Sequence, residues 1–483
     1  MILVVFGSLL QAAPLSYDEA IQLALKNNQT VRSANAELRA ADGTVMSAKS
    51  IFDPSFTVGY GKNISTTEQF FAGFGTFNTD NIGTSWNAGV NSFLPTGTTF
   101  SLEWATNQNS TRYKLENAPV EQEANPYDTR LSLNITQPLL EGFGINYNLR
   151  NFREAKYGQT IAQQTARETR EQVVSDVAKA YWRLYYQQRL EEIAKQSVQV
   201  ATEEKRIVEA KVKEGQLASI EADRVEASLL LSKSNLIDAQ NTRQEATEAL
   251  LLLLNKPLSE KLQLSSLPVK PATQLWDMAK ECAKADKNNY SIARLHMTVQ
   301  LSESRLRDAR HKYMPDLSAT AQLSLSGWEE EFDDAIAELV SMKLPGQFIG
   351  LNLNIPLLNW GARGEVQQRK AELSKAKADL TAMNVSIHQQ VRAQIRILQS
   401  AKIKSELAQA NLKVAQKTLA VDRALRDAGR KLEKDVLDAI RTVEDARGQV
   451  EKSTVDYQLA MIELLRLQGN LLATAKPQAP SKE

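Results

Sequence analysis

Two aspartates three positions apart, Asp435 and Asp438, are the residues best placed to do chemistry. On a helix that spacing sets both carboxylates on adjoining turns of one face. The ordinary fate of such a pair is a solvated helical face, and the residues alone favour that reading. Little else points to reactive chemistry. The histidines His296, His311 and His388 stand singly in helical sequence, as surface or packing residues do. The sequence contains no nucleophile-and-base motif, phosphate loop or clustered metal ligands, so no enzyme, metal or cofactor is expected. The acidic run Glu329, Glu330, Glu331, Asp333 and Asp334 falls in a segment that reads as an external loop and is expected to be solvated.

Composition removes further classes. Across 483 residues, 58 Lys and Arg nearly cancel 57 Asp and Glu, so there is no long-range positive field for nucleic acid, which is set aside as a partner. The single cysteine, Cys282, rules out a disulfide framework and is expected to sit passively on a helix. The apolar run Ile2 to Leu10, followed by Ala12 and Ala13, resembles the end of a secretory signal, so residues 1–13 are expected to be a signal-peptide remnant. The longest later apolar run, Ala249 to Leu254, is far short of the ~20 residues a membrane-spanning helix needs. Any crossing of a bilayer would have to use strands.

The elements follow from periodicity. Ser16 with Glu19 reads as a capping box opening an amphipathic helix through Ile21, Leu25 and Val31 toward Ala48, and Pro54 stops it. After Pro54 the period drops to two. Phe56, Val58 and Tyr60 alternate with small polar residues, as do Leu131, Leu133 and Ile135, then Leu317, Ala319, Ala321, Leu323 and Leu325, then Ile349, Leu351, Leu353 and Ile355. Segments around 63–84, 107–127 and 327–347, rich in Asn, Thr, Gly and acidic residues, read as long exposed loops. Trp86, Trp104, Trp328 and Trp360 fall near the strand margins, which favours an interfacial aromatic girdle.

Beyond Pro138 and Pro356 helical sequence runs for roughly 65 residues before Gly215 and Gly429, a rod of ~100 Å that no compact domain uses. At each glycine the chain reverses, a turn favouring a residue that tolerates positive φ. The return helices carry 4-3 apolar seams: Ala222, Val225, Leu229, Ser232, Leu236, Ala239, Ala246, Leu250 and Leu253 in one. In the other they are Val436, Ile440, Val443, Val450, Tyr457, Met461, Leu464 and Leu471, interrupted by the polar Arg447, Thr454 and Gln468. This is coiled-coil packing.

The chain states this plan twice. Lys26-Asn27-Asn28, Ala48 and Pro54 recur at one constant offset as Lys287-Asn288-Asn289, Ala309 and Pro315, and Pro138-Leu139-Leu140 recurs as Pro356-Leu357-Leu358. A first repeat is therefore expected over 14–255, with strands about 54–137 and a helical hairpin about 147–254. A second is expected over 256–472, with strands about 315–356 and a hairpin about 360–472, leaving a disordered tail at 473–483. The doubling is uneven. The interval from Pro54 to Pro138 is about double that from Pro315 to Pro356, and the surplus holds Trp86, Val90, Leu94, the turn Pro95-Thr96-Gly97, Phe100, Leu102 and Trp104, one more hairpin at about 85–106.

Helices of this kind alone would read as a soluble coiled-coil scaffold without transport activity, and that remains the alternative. A scaffold has no use for two sets of strands with one apolar face each. If the sheet enters lipid, one chain offers too few strands to close it, and open edges there leave backbone groups unpaired at several kcal/mol each, so copies must associate.

The duplicated plan, the paired Pro-Leu-Leu strand exits and the segment Gly429-Arg430-Lys431-Leu432-Glu433-Lys434-Asp435-Val436-Leu437-Asp438-Ala439 resemble the TolC-type outer-membrane efflux protein family, over about Leu15 to Leu472. The resemblance implies a mainly α fold with a β-barrel portion: long coiled-coil hairpins forming a trimeric α-barrel in the periplasm, and strands contributing to a shared transmembrane β-barrel. It implies a homotrimer in outer-membrane lipid, docked at its hairpin tips by a periplasmic adaptor protein that links it to an inner-membrane transporter. By position it makes Asp435 and Asp438 rings at the periplasmic entrance, and Glu221, six places after Gly215, an acid that helps to hold a closed tip. Leu217, with Gly215, Gly429 and Lys431, is the candidate tip surface for the adaptor. Where the family carries an aromatic before the tip glycine, this chain has Val212 and Arg426, so Arg426 or Lys431 is expected to lock the tip by reaching Glu221 or a neighbouring Asp. The family supplies four strands per chain; if the extra hairpin joins the sheet each chain gives six and a trimer a wider barrel, and if it packs aside four remain, which a barrel matched to an α-barrel of fixed girth favours.

Overall fold

The computed structural model describes residues 14–71, 75–115, 121–265 and 276–474. The expected signal remnant at 1–13, and the expected tail from 475 on, lie outside the described residues. The elements are helices α1 (Tyr17–Asn27) and α2 (Gln29–Ser47), then strands β1 (Ser55–Phe71), β2 (Gly75–Phe93), β3 (Thr99–Leu115), β4 (Glu121–Ala124) and β5 (Tyr127–Pro138). Next come helices α3 (Ile145–Asn148), α4 (Arg150–Lys213), α5 (Ser219–Leu254), α6 (Met278–Asn288) and α7 (Tyr290–His311). The chain continues with β6 (Asp316–Glu329), α8 (Phe332–Val340), β7 (Pro345–Asn354), α9 (Trp360–Asp427), α10 (Glu433–Leu467) and α11 (Leu471–Thr474). Trp360, expected at a strand margin, opens α9 instead. Among the described residues no helix is long and apolar enough to cross a membrane.

Contacts divide the chain into two units. One comprises Met1–Arg39, Ile161–His296 and Ala378–Glu483, the other Ala40–Thr160 and Met297–Lys377. The first unit is helical. The predicted capping box is present: the Glu19 N–H donates to the Ser16 hydroxyl at 3.2 Å and the Ser16 N–H to the Glu19 carboxylate at 3.0 Å. The single helix expected toward Ala48 is two, because Asn28 breaks it and caps the second part. Its side-chain oxygen accepts from the Thr30 N–H at 2.9 Å while its amide donates to the Leu253 carbonyl at 2.9 Å. Asn289 repeats both acts, accepting from the Ile292 N–H at 3.2 Å and donating to the Leu467 carbonyl at 2.9 Å. Each repeat thus ties its entry helix to the end of its own return helix through the second Asn of the duplicated Lys-Asn-Asn.

The predicted seams are inside. Val225, Leu229 and Leu250 of α5 and Val436, Val443, Tyr457 and Leu464 of α10 are buried. Leu250 packs with Val173, Val177, Tyr181 and Leu184 of α4 in one cluster and Tyr457 and Leu464 with Val391, Ile395 and Leu398 of α9 in another, while Val225 joins Val208 and Leu437, and Val443 joins Ala415 and Ala446. The outgoing helices hold 64 and 68 residues, so at 1.5 Å per residue each is ~100 Å long.

The second unit is built on one antiparallel sheet in the order β1-β2-β3-β5-β6-β7, with β4 paired to β3 beside that path. This corrects the expectation of four strands. The extra hairpin is β2 and β3, and it lies between β1 and β5 rather than aside, because its alternation is in phase with theirs. Val90 pairs with Phe56 on one side and Leu102 on the other, and Leu102 in turn with Leu133. The hairpin joins the sheet because strand pairing follows register, which the hydrophobic alternation sets.

The segments 63–84 and 107–127, expected as loops, are mostly strand, since β1 pairs with β2 from Ser55↔Asn91 to Phe71↔Gly75 and β2 with β3 from Phe93↔Thr99 to Phe77↔Leu115. Their Thr and Asn content reflects polar strand surface, not irregular backbone. The loop expected at 327–347 contains α8, which packs on β6 and β5 over Gly327, where a Cβ would run into the Ala335 carbonyl.

Candidate functional site

The candidate residues lie at the two helix reversals of the first unit. α4 and α9 each hand over through a glycine in the left-handed region, Gly215 at φ 75° and Gly429 at φ 68°. The same two bonds close both helices. Gly215 N–H donates to the Val212 carbonyl at 3.0 Å and Gln216 N–H to Lys211 at 2.8 Å, while Gly429 donates to Arg426 at 2.9 Å and Arg430 to Leu425 at 2.8 Å. A Cβ on either glycine would meet nothing within 4 Å, so the requirement is one of backbone conformation, not of space.

Asp435 stands in the first turn of α10, half-buried, and accepts from the Leu432 N–H at 3.4 Å. Negative charge is favoured there by the helix dipole. Asp438, one turn on, is exposed and lies 3.8 Å from Arg441. Glu221 opens α5 in the same way: one oxygen accepts from Arg224 at 2.7 Å, and the other is buried with no hydrogen-bond partner among the described residues. Leu217 packs, partly buried, against the cluster of Val208, Val225 and Leu437. Lys431 pairs with Asp422.

Of its expected partners, Arg426 does not reach Glu221 but does reach a neighbouring aspartate, its Nε donating to Asp427 at 3.1 Å. Its guanidinium, with a side chain 9% exposed, donates to Glu204 at 2.7 Å and Glu433 at 3.2 Å, and Arg423 also reaches Glu204 at 2.8 Å. Glu204 is on α4 of the first repeat, so a buried ionic cluster fastens the second reversal to the first. Burial pushes the Glu433 carboxyl above its ordinary value, and Arg426 opposes that. Sequence reading passed over Glu204, Arg423, Asp422 and Glu433. A signal existed for Glu204: with Val208 and Val212 it forms an i, i+4, i+8 row on the buried face of α4, where a carboxylate requires a cation.

The tips therefore hold two kinds of carboxylate. One kind, Glu204 and Glu433, is buried and neutralised by guanidinium, and it fixes structure. The other, Asp435 and Asp438, is open to solvent to different degrees at the start of one helix, and can act on ions without covalent chemistry.

The model of the family described as outer membrane efflux protein matches residues 122–256 and 283–470. The chain is 26% identical over 191 residues to outer membrane protein TolC of Salmonella enteritidis and 23% identical over 201 residues to that of Escherichia coli K12. Each alignment covers 39% of this chain and 39% of the relative, so the match spans about two-fifths of those proteins. Among solved structures, the outer membrane protein VceC of Vibrio cholerae aligns with a TM-score of 0.67 at 14% identity, covering 94% of this chain and 96% of that one. The open state of the Neisseria gonorrhoeae MtrE outer membrane channel aligns with a TM-score of 0.65 at 16% identity, covering 94% and 89%. At these identities the likeness is one of fold.

Proposed function

Because the chain belongs to the outer membrane efflux protein family, and so to the outer membrane, we propose that it is the passive exit duct of a tripartite efflux or type I secretion system. One observation carries this reading furthest: the sheet gathers most of its apolar side chains on one face and ends in two strands, β1 and β7, each with one edge unpaired among the described residues. Phe56, Val58, Ile349 and Leu351 are 70%, 67%, 87% and 73% exposed in the single chain. In a soluble coiled-coil scaffold they would stand in water. In a homotrimer the edges pair between copies and the face meets lipid, satisfying both demands at once.

On this reading the hairpins of three copies form a periplasmic tunnel, and a periplasmic adaptor protein docks at the tips and couples the duct to an inner-membrane transporter. The tip surface includes Lys431 and the exposed Ile220 and Leu432, with Leu217 supporting it from below. Asp435 and Asp438 of three copies ring one constriction, concentrating cations and deterring anions as charged-ring filters do. The duct itself performs no chemistry. Cell fractionation tests the first part, which requires recovery with the outer membrane as an oligomer whose mobility changes on heating. Planar bilayers test the second. Asp435→Asn combined with Asp438→Asn is expected to weaken cation selectivity and block by multivalent cations, and unchanged selectivity and block would remove both residues from the entrance.

A further inference from the structure

The sheet differs in one respect from a four-strand plan. β2 and β3 are interposed between β1 and β5, so taking them out of the wall would leave β1 without the partner strand it has among the described residues of its own chain. β1 has its register with β2 alone, over its whole length, and β5 meets β3 from Thr99↔Thr136 to Gln108↔Tyr127.

The faces agree with the topology. Following the register across the sheet, Phe56, Val90, Leu102, Leu133 and Leu323 form one row, and Val58, Ala88, Trp104, Leu131 and Leu325 the next. The alternate rows, on the other face, run Thr57, Gly89, Glu103, Ser132 and Ser324, and Gly59, Asn87, Ala105, Arg130 and Ser326. In these rows both faces keep their character through the inserted hairpin, and in the rows that flank them the apolar face takes in Ser92 beside Phe100 and Thr106 beside Trp86. A hairpin folded aside in water would have no reason to hold its apolar residues in phase with those of β1 and β5. Trp86 beside Tyr60, ring centroids 4.5 Å apart, and Trp104 in the row below put aromatic side chains at one level of the apolar face, as an interfacial girdle would.

We propose that β2 and β3 are lipid-facing staves of the barrel wall, so that each chain supplies six strands and three copies close an eighteen-strand barrel whose partner on the outside is the acyl region of the bilayer. This rests on the trimeric membrane reading above and adds to it. Barrel diameter grows about linearly with strand number, and barrels of 16–18 strands leave an aqueous channel, so the lumen is about half as wide again as a twelve-strand one. Its wall is lined by the small polar rows, with Glu103 and Arg130 as its charges among the positions named. The outer-membrane segment is therefore no barrier to hydrated cargo, and selection falls to the tips.

Single cysteines test this in the full-length protein carrying Cys282→Ser. On the inserted hairpin they replace Ala88 and Leu102 on the apolar face and Asn87 and Ser101 on the other, and on the neighbouring strands Leu133 and Leu323 against Asn134 and Gln322. The readouts are labelling by a membrane-impermeant maleimide in outer membranes, and quenching of an attached fluorophore by brominated phospholipid. The expected result is loss of maleimide labelling with gain of lipid quenching at every apolar-face position, and the reverse at every polar-face position. Alternation at 133, 134, 322 and 323, with both faces of the hairpin labelling from water, would overturn the six-strand wall and leave the membrane reading intact. Alternation nowhere would overturn both. Should a variant fail to assemble, the strand count in an electron cryomicroscopy map of the unmodified trimer decides alone, with eighteen supporting the proposal and twelve overturning it.

Discussion

At the scale of single residues, Glu204 shows how burial turns a charge into a fastener. Its carboxylate is 5% exposed and is satisfied by two guanidiniums from the second repeat, so removing its charge takes from the buried Arg426 the nearest of its carboxylate partners, leaving Glu433 and Asp427. Breaking one side of such a buried pair costs about 3–5 kcal/mol, whereas an exposed pair such as Arg441 with Asp438 is worth under about 1 kcal/mol. Glu204→Leu is therefore expected to speed amide hydrogen exchange in residues 420–437 strongly, and Asp438→Asn to leave it unchanged. Glu171 makes a second case. Burial lifts its carboxyl from 4.5 to about 7, against the Leu471 N–H that donates to it at 2.9 Å and against the charge of Arg466. The folded chain thus holds that proton more tightly than the unfolded one. The stability it contributes is full below pH 4.5 and is lost as the pH rises through about 7. The thermal midpoint of the purified protein should fall over that window, and Glu171→Gln should flatten the fall.

At the scale of elements, the duplication has a mechanical content that the repeated letters do not disclose. Lys-Asn-Asn is visible twice in the sequence, but its reason is the double duty of Asn28 and Asn289, each capping a helix while clamping the end of its repeat's return helix. Alanine at Asn289 removes a cap worth about 1 kcal/mol and also leaves the buried donor or acceptor partners unmatched at about 1–3 kcal/mol. Denaturant unfolding should report a loss of about 2–4 kcal/mol for Asn289→Ala, and a similar one for Asn28→Ala. A loss of only a few tenths would mean that the clamp is idle. The glycine reversals and coiled-coil seams were legible in advance, because a left-handed turn and a 3.6-residue stripe are written within a few residues of themselves. The polar strands beyond the apolar rows were not, since Thr and Asn serve exposed strand and loop alike.

At the scale of the whole molecule, the two faces of the sheet make a directional prediction for assembly. Leu323 lies on the apolar face and Gln322 on the polar one, in the middle of β6. A lipid-facing arginine at mid-bilayer costs about 2–4 kcal/mol, and a lumen-facing one far less. Leu323→Arg should sharply reduce the yield of heat-sensitive oligomer in the outer membrane while Gln322→Arg assembles normally. Equal yields from the two would argue against a membrane wall at this strand.

The sequence by itself determined the kinds of element, their doubling, the two glycine turns and the apolar seams, because each is a local pattern fixed by backbone geometry and side-chain period. Tertiary structure alone decided two things: that the extra hairpin stands inside the sheet, and that Arg426 turns to Glu204 rather than to Glu221. The reason is the same for both. Strand neighbours and ion-pair partners are chosen between segments far apart in the chain, by register and by which charges burial forces together, and the spacing of nearby residues marks a buried charge or an alternating strand without naming its partner.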